Sequence, residues 1–233
     1  ATILAPQPIE EESTPSSLLA AIVLPFQDFF QRRGVVNGIL VLILIIIYKV
    51  GDYMVKGVAT PFLLEIHFTQ TQIGAIQGGL GIIATIVGAL VGGMMLSKIG
   101  INRSLWISIG LLSIGIIPYW LLAQAAQSAP AGQSPSEALL ILAINSEYFF
   151  AGMEATAFIA FLMSLCNRQY SATQYALFTS LMLSGKSFLV APMGGIAKQV
   201  GWSNFFLLSI CTAIPGLLLL ISIAPWNSKV EKN

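Results

Sequence analysis

Charge is what this sequence has least of: 9% of its 233 residues are Asp, Glu, Lys or Arg, where soluble domains carry roughly 25%. A chain so poor in charge cannot clothe a water-facing surface. With 56% hydrophobic residues and a mean hydropathy of +0.82, a soluble globular protein is excluded and a membrane protein is implied. The formal net charge is +1, so no basic patch exists to release counterions, and no nucleic-acid partner is expected. Histidine occurs once, at His67, and cysteine twice, at Cys166 and Cys211. Neither a zinc-type ligand set nor a disulfide framework can be assembled from them. There is no Walker lysine loop and no Gly-x-Ser-x-Gly elbow. The expectation is therefore a non-enzyme without cofactor or metal, and not an ATP-driven pump.

What the sequence has is long apolar runs. Six stretches, near 36–64, 72–97, 104–124, 137–165, 173–197 and 203–224, approach or exceed the ~20 residues that cross a hydrocarbon core of ~30 Å. The first and fourth exceed that minimum and imply tilt or extension beyond the bilayer. The fold class is thus all-α integral membrane, with six transmembrane helices. Short polar connections join them, among them Lys98 to Arg103 and Asn167 to Ser171. The longest, Ala125 to Ser136, contains Pro130, Gly132 and Pro135 and suits an exposed loop.

Ahead of the first span, residues 1–15 are acidic and proline-containing (Pro6, Pro8, Glu10, Glu11, Glu12) and lack periodicity, the composition of a linker. The start at Ala1 carries no basic signal-peptide region and reads as an internal segment of a longer polypeptide. Residues 16–33 mix Leu18, Leu19, Ile22, Val23, Phe26, Phe29 and Phe30 with Gln27, Asp28, Arg32 and Arg33, the pattern of an amphipathic interfacial helix. Three regions follow: a cytoplasmic linker with its interfacial helix (1–33), a six-helix transmembrane unit (34–226) and a cytoplasmic tail (227–233).

Basic residues set the orientation. Arg32, Arg33, Lys98, Arg103, Arg168, Lys229 and Lys232 fall on connections of one side, and Lys198 with His67 on the other. Both termini are expected in the cytoplasm.

Six ionisable residues stay inside the spans: Lys49, Asp52, Lys56, Glu147, Glu154 and Lys186. Each costs roughly 2.5–3.5 kcal/mol at a helix centre if left alone, so they must pair, line a wet cavity or change protonation. Lys49, Asp52 and Lys56 stand at i, i+3 and i+7 and share a helical face. Glu147 and Glu154 are also seven apart, ~10 Å along an axis. Three positive groups balance three negative ones, a set suited to a zwitterionic or anionic solute and a proton pathway. Weaker signals are Gly74, Gly78, Gly81, Gly88 and Gly92 near one side of the second span, which point to close helix packing. Pro192, Gly194, Gly195, Pro215 and Gly216 suggest bends.

The stretch LMSLCNRQYSATQYALFTSL, residues 162–181, resembles the fourth-to-fifth helix connection of bacterial muropeptide permeases of the AmpG type. YKVGD (48–52), PFLLE (61–65), GALVGG (88–93) and GWSNFFLLS (201–209) agree in order and spacing, so the resemblance covers roughly residues 26–224. It implies the major facilitator superfamily and the second six-helix half of such a transporter. GGMMLSKIGINRS (92–104) also resembles a degenerate helix two–three loop motif of that superfamily. The resemblance further implies proton-driven import of anhydromuropeptides across the bacterial inner membrane, with the amino-terminal six-helix half, the lipid bilayer and the muropeptide as partners. Lys49 and Asp52 match the family's Tyr-Lys-x-x-Asp pattern, Glu147 matches a fourth-helix glutamate, and Lys186 stands where relatives often carry arginine. Glu154 departs from a position usually small, and IQGGLG (76–81) lacks a frequent Asn-Lys pair. Two alternatives stand beside this reading: an importer of another bulky anion such as a coenzyme A ester, and a transport-dead half-length membrane fragment or sensor.

Overall fold

The computed structural model describes residues 18–130 and 132–226, with side chains from residue 23 onward. Residues 1–17 and 227–233, which include most of the linker and the tail expected above, lie outside the described residues. The described residues are helical, with no strand among them. In order they form α1 (Leu18–Arg33), α2 (Val35–Ile47), α3 (Val50–Glu65), α4 (Gln70–Ala75), a π-helical stretch (Ile76–Gly81), α5 (Ile82–Ser128), α6 (Glu137–Leu165), a 3-10 turn (Arg168–Tyr170), α7 (Ser171–Val190), α8 (Met193–Val200), α9 (Trp202–Cys211) and α10 (Ala213–Ile223).

Joined end to end, these give five helical runs long and apolar enough to cross a membrane: Val35–Glu65, Gln70–Ser128, Glu137–Leu165, Arg168–Val200 and Trp202–Ile223. The sequence pattern calls for six. The difference lies in Gln70–Ser128, where the connection Lys98–Arg103 is helical on both sides of Gly100 and the stretches 72–97 and 104–124 follow each other without a loop. Gly100, at φ 80° and ψ 174°, breaks the helical backbone inside it, a conformation that glycine adopts without steric cost. Were α5 straight, Gly88 and Gly115 would be ~40 Å apart along its axis. Yet Gly88 abuts the Phe149 carbonyl of α6 while Gly115 meets Ser146 and Phe150 one turn away. The two arms therefore double back at Gly100 and lie against the same stretch of α6. The C-terminal arm also runs on to Ser128, because Ala123, Gln124, Ala125, Ala126 and Gln127 are good helix formers. The loop that follows is correspondingly shorter than the composition suggests.

Glycine contacts explain how closely the arms approach α6. A Cβ on Gly88 would run into the Phe149 carbonyl, one on Gly92 would sit 2.7 Å from the Met153 carbonyl, and one on Gly81 would touch the Tyr148 ring. Gly74 and Gly78 face open space. The π-helical stretch Ile76–Gly81 contains Gly78 and Gly81, and its wider turns rotate the following residues relative to the preceding ones, so an α-helical wheel does not align all five glycines. Pro192, which has no N–H to donate, separates α7 from α8, and Thr212 separates α9 from α10.

Two buried clusters fill the bundle. One joins Phe62, Leu63, Tyr119, Leu122, Leu140, Ile144, Phe205 and Phe206. The other joins Phe29, Leu44, Tyr48, Leu105, Phe158, Leu162, Phe178 and Leu220. The charged groups of α3 and α6 lie on these same packed helices.

Candidate functional site

Ionisable residues stand seven apart on α6 and, from Lys49 just before α3 to Lys56 within it, on the facing segment, and the structure meshes the two spacings. Lys49 Nζ lies 2.5 Å from Glu154 Oε2, and Lys56 Nζ lies 3.5 Å from Glu147 Oε1. The lower number on α3 meets the higher on α6, so the helices run antiparallel and the pairs form two rungs, ~10 Å apart along the axes. Asp52 sits between the rungs. Its Oδ1 is 2.7 Å from Lys56 Nζ and its Oδ2 is 4.0 Å from Lys49 Nζ. The result is one chain of alternating charge, Glu154–Lys49–Asp52–Lys56–Glu147.

Burial divides this chain into a sealed part and an open one. Asp52, Glu147 and Glu154 are buried, and Lys49 nearly so. Lys56 alone keeps a side chain 39% exposed. Lys49 occupies the loosened backbone between α2 and α3, with φ −99° and ψ 9°, and this junction puts its ammonium against α6. Beside it, Tyr48 donates its hydroxyl to the Leu105 carbonyl at 2.8 Å and stacks on Phe158. Glu154 Oε1 is buried without a hydrogen-bond partner among the described residues.

Lys186 does not join. Its ammonium stands 5.4 Å from the centre of the Tyr53 ring, a cation–π distance, and among the described residues it forms no ion pair within 4 Å. The balance of three cations against three carboxylates read from the sequence is therefore not what assembles. Three carboxyl groups meet two ammonium groups, one carboxyl in surplus. The charge count takes all six together because spacing within one helix carries no information on how α7 is rotated against α3. Tyr53 went unremarked in the sequence, where an aromatic one position beyond Asp52 looks like ordinary core.

A second polar cluster was also missed. Asp28 of α1 accepts hydrogen bonds from Arg32 (2.9 Å), Asn167 (3.0 Å) and Gln174 (3.0 Å). Gln174, itself buried, also donates to the Pro25 carbonyl and accepts from the Asn167 backbone. The segment carrying Asn167 and Gln174 is the one whose sequence is most distinctive, and its role here is to hold α1 against the α6–α7 turn. Groups able to form a metal site of three or more His, Cys, Asp or Glu are absent among the described residues.

Known proteins align with the chain over nearly its whole length. The anhydromuropeptide permease of Escherichia coli strain K12 is 36% identical over 222 residues, covering 95% of this chain. This chain belongs to the AmpG-type permeases. The provisionally named transporter AmpG 4 of Rickettsia conorii is 35% identical over 93% of the chain, and an uncharacterized Haemophilus influenzae protein is 33% identical over 98%. The chain spans 43%, 49% and 54% of these three relatives, about half the length of each. No family model matches the chain. This AmpG-type chain is accordingly a multi-pass membrane protein whose relatives are named as permeases and transporters.

Proposed function

We propose that the chain is the carboxy-terminal half of a proton-coupled importer of anhydromuropeptides, built on the major facilitator plan and set in a bacterial inner membrane. On this reading the doubled-back run Gln70–Ser128 makes two crossings, so the half has six, and both termini are cytoplasmic. Support for the six comes from the break at Gly100 and the two arms on α6. Support for the orientation comes from Arg32, Arg33, Lys98, Arg103 and Arg168, all on connections of one side. The substrate is carried over from the name of the Escherichia coli relative, and the amino-terminal half from the relatives' greater length.

The observation that carries the proton coupling is the surplus carboxyl in the Glu154–Lys49–Asp52–Lys56–Glu147 chain. An unpaired carboxylate at membrane depth is expensive, and a single proton shared by Asp52 and Glu147 removes that charge. Lys56, half open and shared between them, is the movable link. A solute carboxylate competes for its ammonium. When Lys56 turns to the solute, Glu147 loses its counterion, Asp52 keeps only the Lys49 ammonium at 4.0 Å, and a further proton is drawn in. Solute and proton then occupy the site jointly, and joint occupancy biases the two halves toward the inward-facing arrangement. Lys49 and Glu154 stay paired throughout as the fixed end of the chain.

Uptake of labelled anhydromuropeptide into spheroplasts tests this. The chain is supplied alone, with an amino-terminal half of the family, and with a protonophore. Protonophore-sensitive uptake only with both halves is the expected result. Competition by an unlabelled coenzyme A ester instead of muropeptide would move the substrate to another bulky anion. No uptake in any arrangement, with insertion verified, would mark a transport-dead fragment.

A further inference from the structure

Away from the charged chain of α3 and α6, a cavity of about 200 Å³ opens where the chain enters its first span and leaves its last. It is lined by Arg33, Asn37, Val41, Ser222 and Ile223. Its volume lies below the ~300–1,000 Å³ of sites that enclose a drug-sized ligand, too small for a disaccharide with a peptide. Arg33, Asn37 and Val41 step by four along the end of α1 and the start of α2. Gly34, at φ 76°, turns the chain between them, and Gly38 lets the Phe30 ring fold down on α2. The Arg33 guanidinium makes no hydrogen bond or ion pair among the described residues. Its neighbour Arg32 is already committed to Asp28 at 2.9 Å.

The surroundings are those of a lipid site. Val36, next to Asn37, is 73% exposed, and Leu218, one turn before Ser222 on α10, is 60% exposed. A polar hollow with one uncommitted cation thus opens between two aliphatic ridges. Burial and the adjacent Arg32 charge both disfavour the Arg33 cation, and an anion beside it relieves both. Basic hollows between spanning helices, level with the headgroups, suit phosphate-bearing lipids, and an arginine fork with amide and hydroxyl donors beside it matches phosphate oxygens.

We infer that this cavity binds the phosphodiester headgroup of an anionic phospholipid, with Arg33, Asn37 and Ser222 holding the phosphate and the acyl chains lying along α2 and α10. The site is independent of what the protein transports. It ties the α1–α2 turn to the end of α10 through a lipid, at the point where α1 is also latched to the α6–α7 turn.

The test is retention of phosphatidylglycerol by the purified chain, titrated after delipidation and read by native mass spectrometry, with phosphatidylcholine as the neutral comparison. Arg33→Gln is expected to weaken phosphatidylglycerol retention about fivefold, the loss of one basic contact to an anionic headgroup, and to leave phosphatidylcholine unchanged. Asn37→Leu, which keeps the charge and obstructs the hollow, is expected to weaken it too. Arg103→Gln, a basic residue outside the cavity, is expected to keep it. Unchanged retention in Arg33→Gln and Asn37→Leu overturns the inference, as does equal loss in Arg103→Gln. Displacement of phosphatidylglycerol by soluble glycerol phosphate at matched concentration also overturns it, because the site would then be one for a free anion.

Discussion

Lys49 and Glu154 stand 105 positions apart in the chain and form a 2.5 Å ion pair in the bundle interior. The pair pins the loosened α2–α3 junction to the middle of α6. Removing Lys49 leaves Glu154 charged and without a counterion, which costs ~3–5 kcal/mol where a pair is fully buried, whereas removing Glu154 leaves Lys49 with the Asp52 carboxyl at 4.0 Å. Lys49→Met is expected to lower the thermal melting temperature strongly, and Glu154→Gln to lower it less. The double variant Lys49→Met with Glu154→Leu is expected to recover most of the loss, since a packed apolar pair carries no desolvation cost. A double variant as unstable as the sum of the singles would show that the two side chains do not act as a pair.

Lys56 should behave differently. Its side chain is 39% exposed, but it is the counterion of the buried Asp52 and Glu147. Lys56→Gln is therefore expected to lower the melting temperature less than Lys49→Met, a proton taking its place, while abolishing uptake or raising KM by about tenfold or more, the loss of ~1.4 kcal/mol or more of binding. Lys56→Arg keeps the charge and should retain part of the uptake. Stability falling as far as in Lys49→Met, with transport intact, would make Lys56 a structural residue and remove it from the mechanism.

Asp52→Asn and Glu147→Gln probe the shared proton. Each removes the surplus negative charge from the alternating chain, so insertion and folding are expected to survive. Proton-dependent accumulation is expected to be lost, while exchange of solute across the membrane down its own gradient persists. Full accumulation by both variants, checked against a protonophore, removes these carboxyls from the coupling.

The α1 latch has a pH dependence of predictable sign. Burial pushes the Asp28 carboxyl upward, but hydrogen bonds from Asn167, Arg32 and Gln174, with the Arg32 charge, outweigh it and hold the pKa below its usual 3.8. A depressed folded-state pKa contributes stability that is complete above the unfolded value and is lost as pH falls through the folded one. Docking of α1, followed by limited proteolysis, should therefore be constant from neutrality down to about pH 4 and weaken below it. Asp28→Asn should be looser at neutral pH and insensitive to that acid step.

Helix ends offer a stability check free of charge effects. His67 closes α3 at φ 69°, with Phe68 N–H donating to the Leu63 carbonyl and His67 N–H to the Leu64 carbonyl, a helix end that favours glycine. His67→Gly is expected to stabilise by ~1 kcal/mol, since the left-handed backbone penalises a side chain by about that much. Thr69 caps α4 reciprocally with Gln72, and Thr69→Ala should cost ~1 kcal/mol. Thermal melts of the two variants should move in opposite directions.

Much of this was legible in the residues themselves. The boundaries of the apolar runs match the helices to within a few residues at 137–165 against Glu137–Leu165, and at 203–224 against Trp202–Ile223, because hydropathy is a local property that the bilayer reads directly. Spacing puts Asp52 and Lys56 on one helical face, and the structure holds them 2.7 Å apart, because residues i and i+4 of a helix are neighbours whatever surrounds them. The glycine stripe was half right. Gly81, Gly88 and Gly92 pack as expected, while Gly74 and Gly78 do not, since the π-helical stretch changes the period that the wheel assumes.

The sequence by itself determined that the chain lives in a bilayer, roughly where it crosses, which ionisable groups it carries there and which family it resembles. Only the tertiary structure decided that Glu154 takes Lys49 while Glu147 takes Lys56, that Lys186 stands apart on Tyr53, and that the long second run doubles back at Gly100. The physical reason is range. Hydropathy, helical spacing and charge are set by residues within a turn or two of one another. Partners on α3 and α6 are chosen by the rotation and register of two packed helices, and nothing in either segment alone encodes that register.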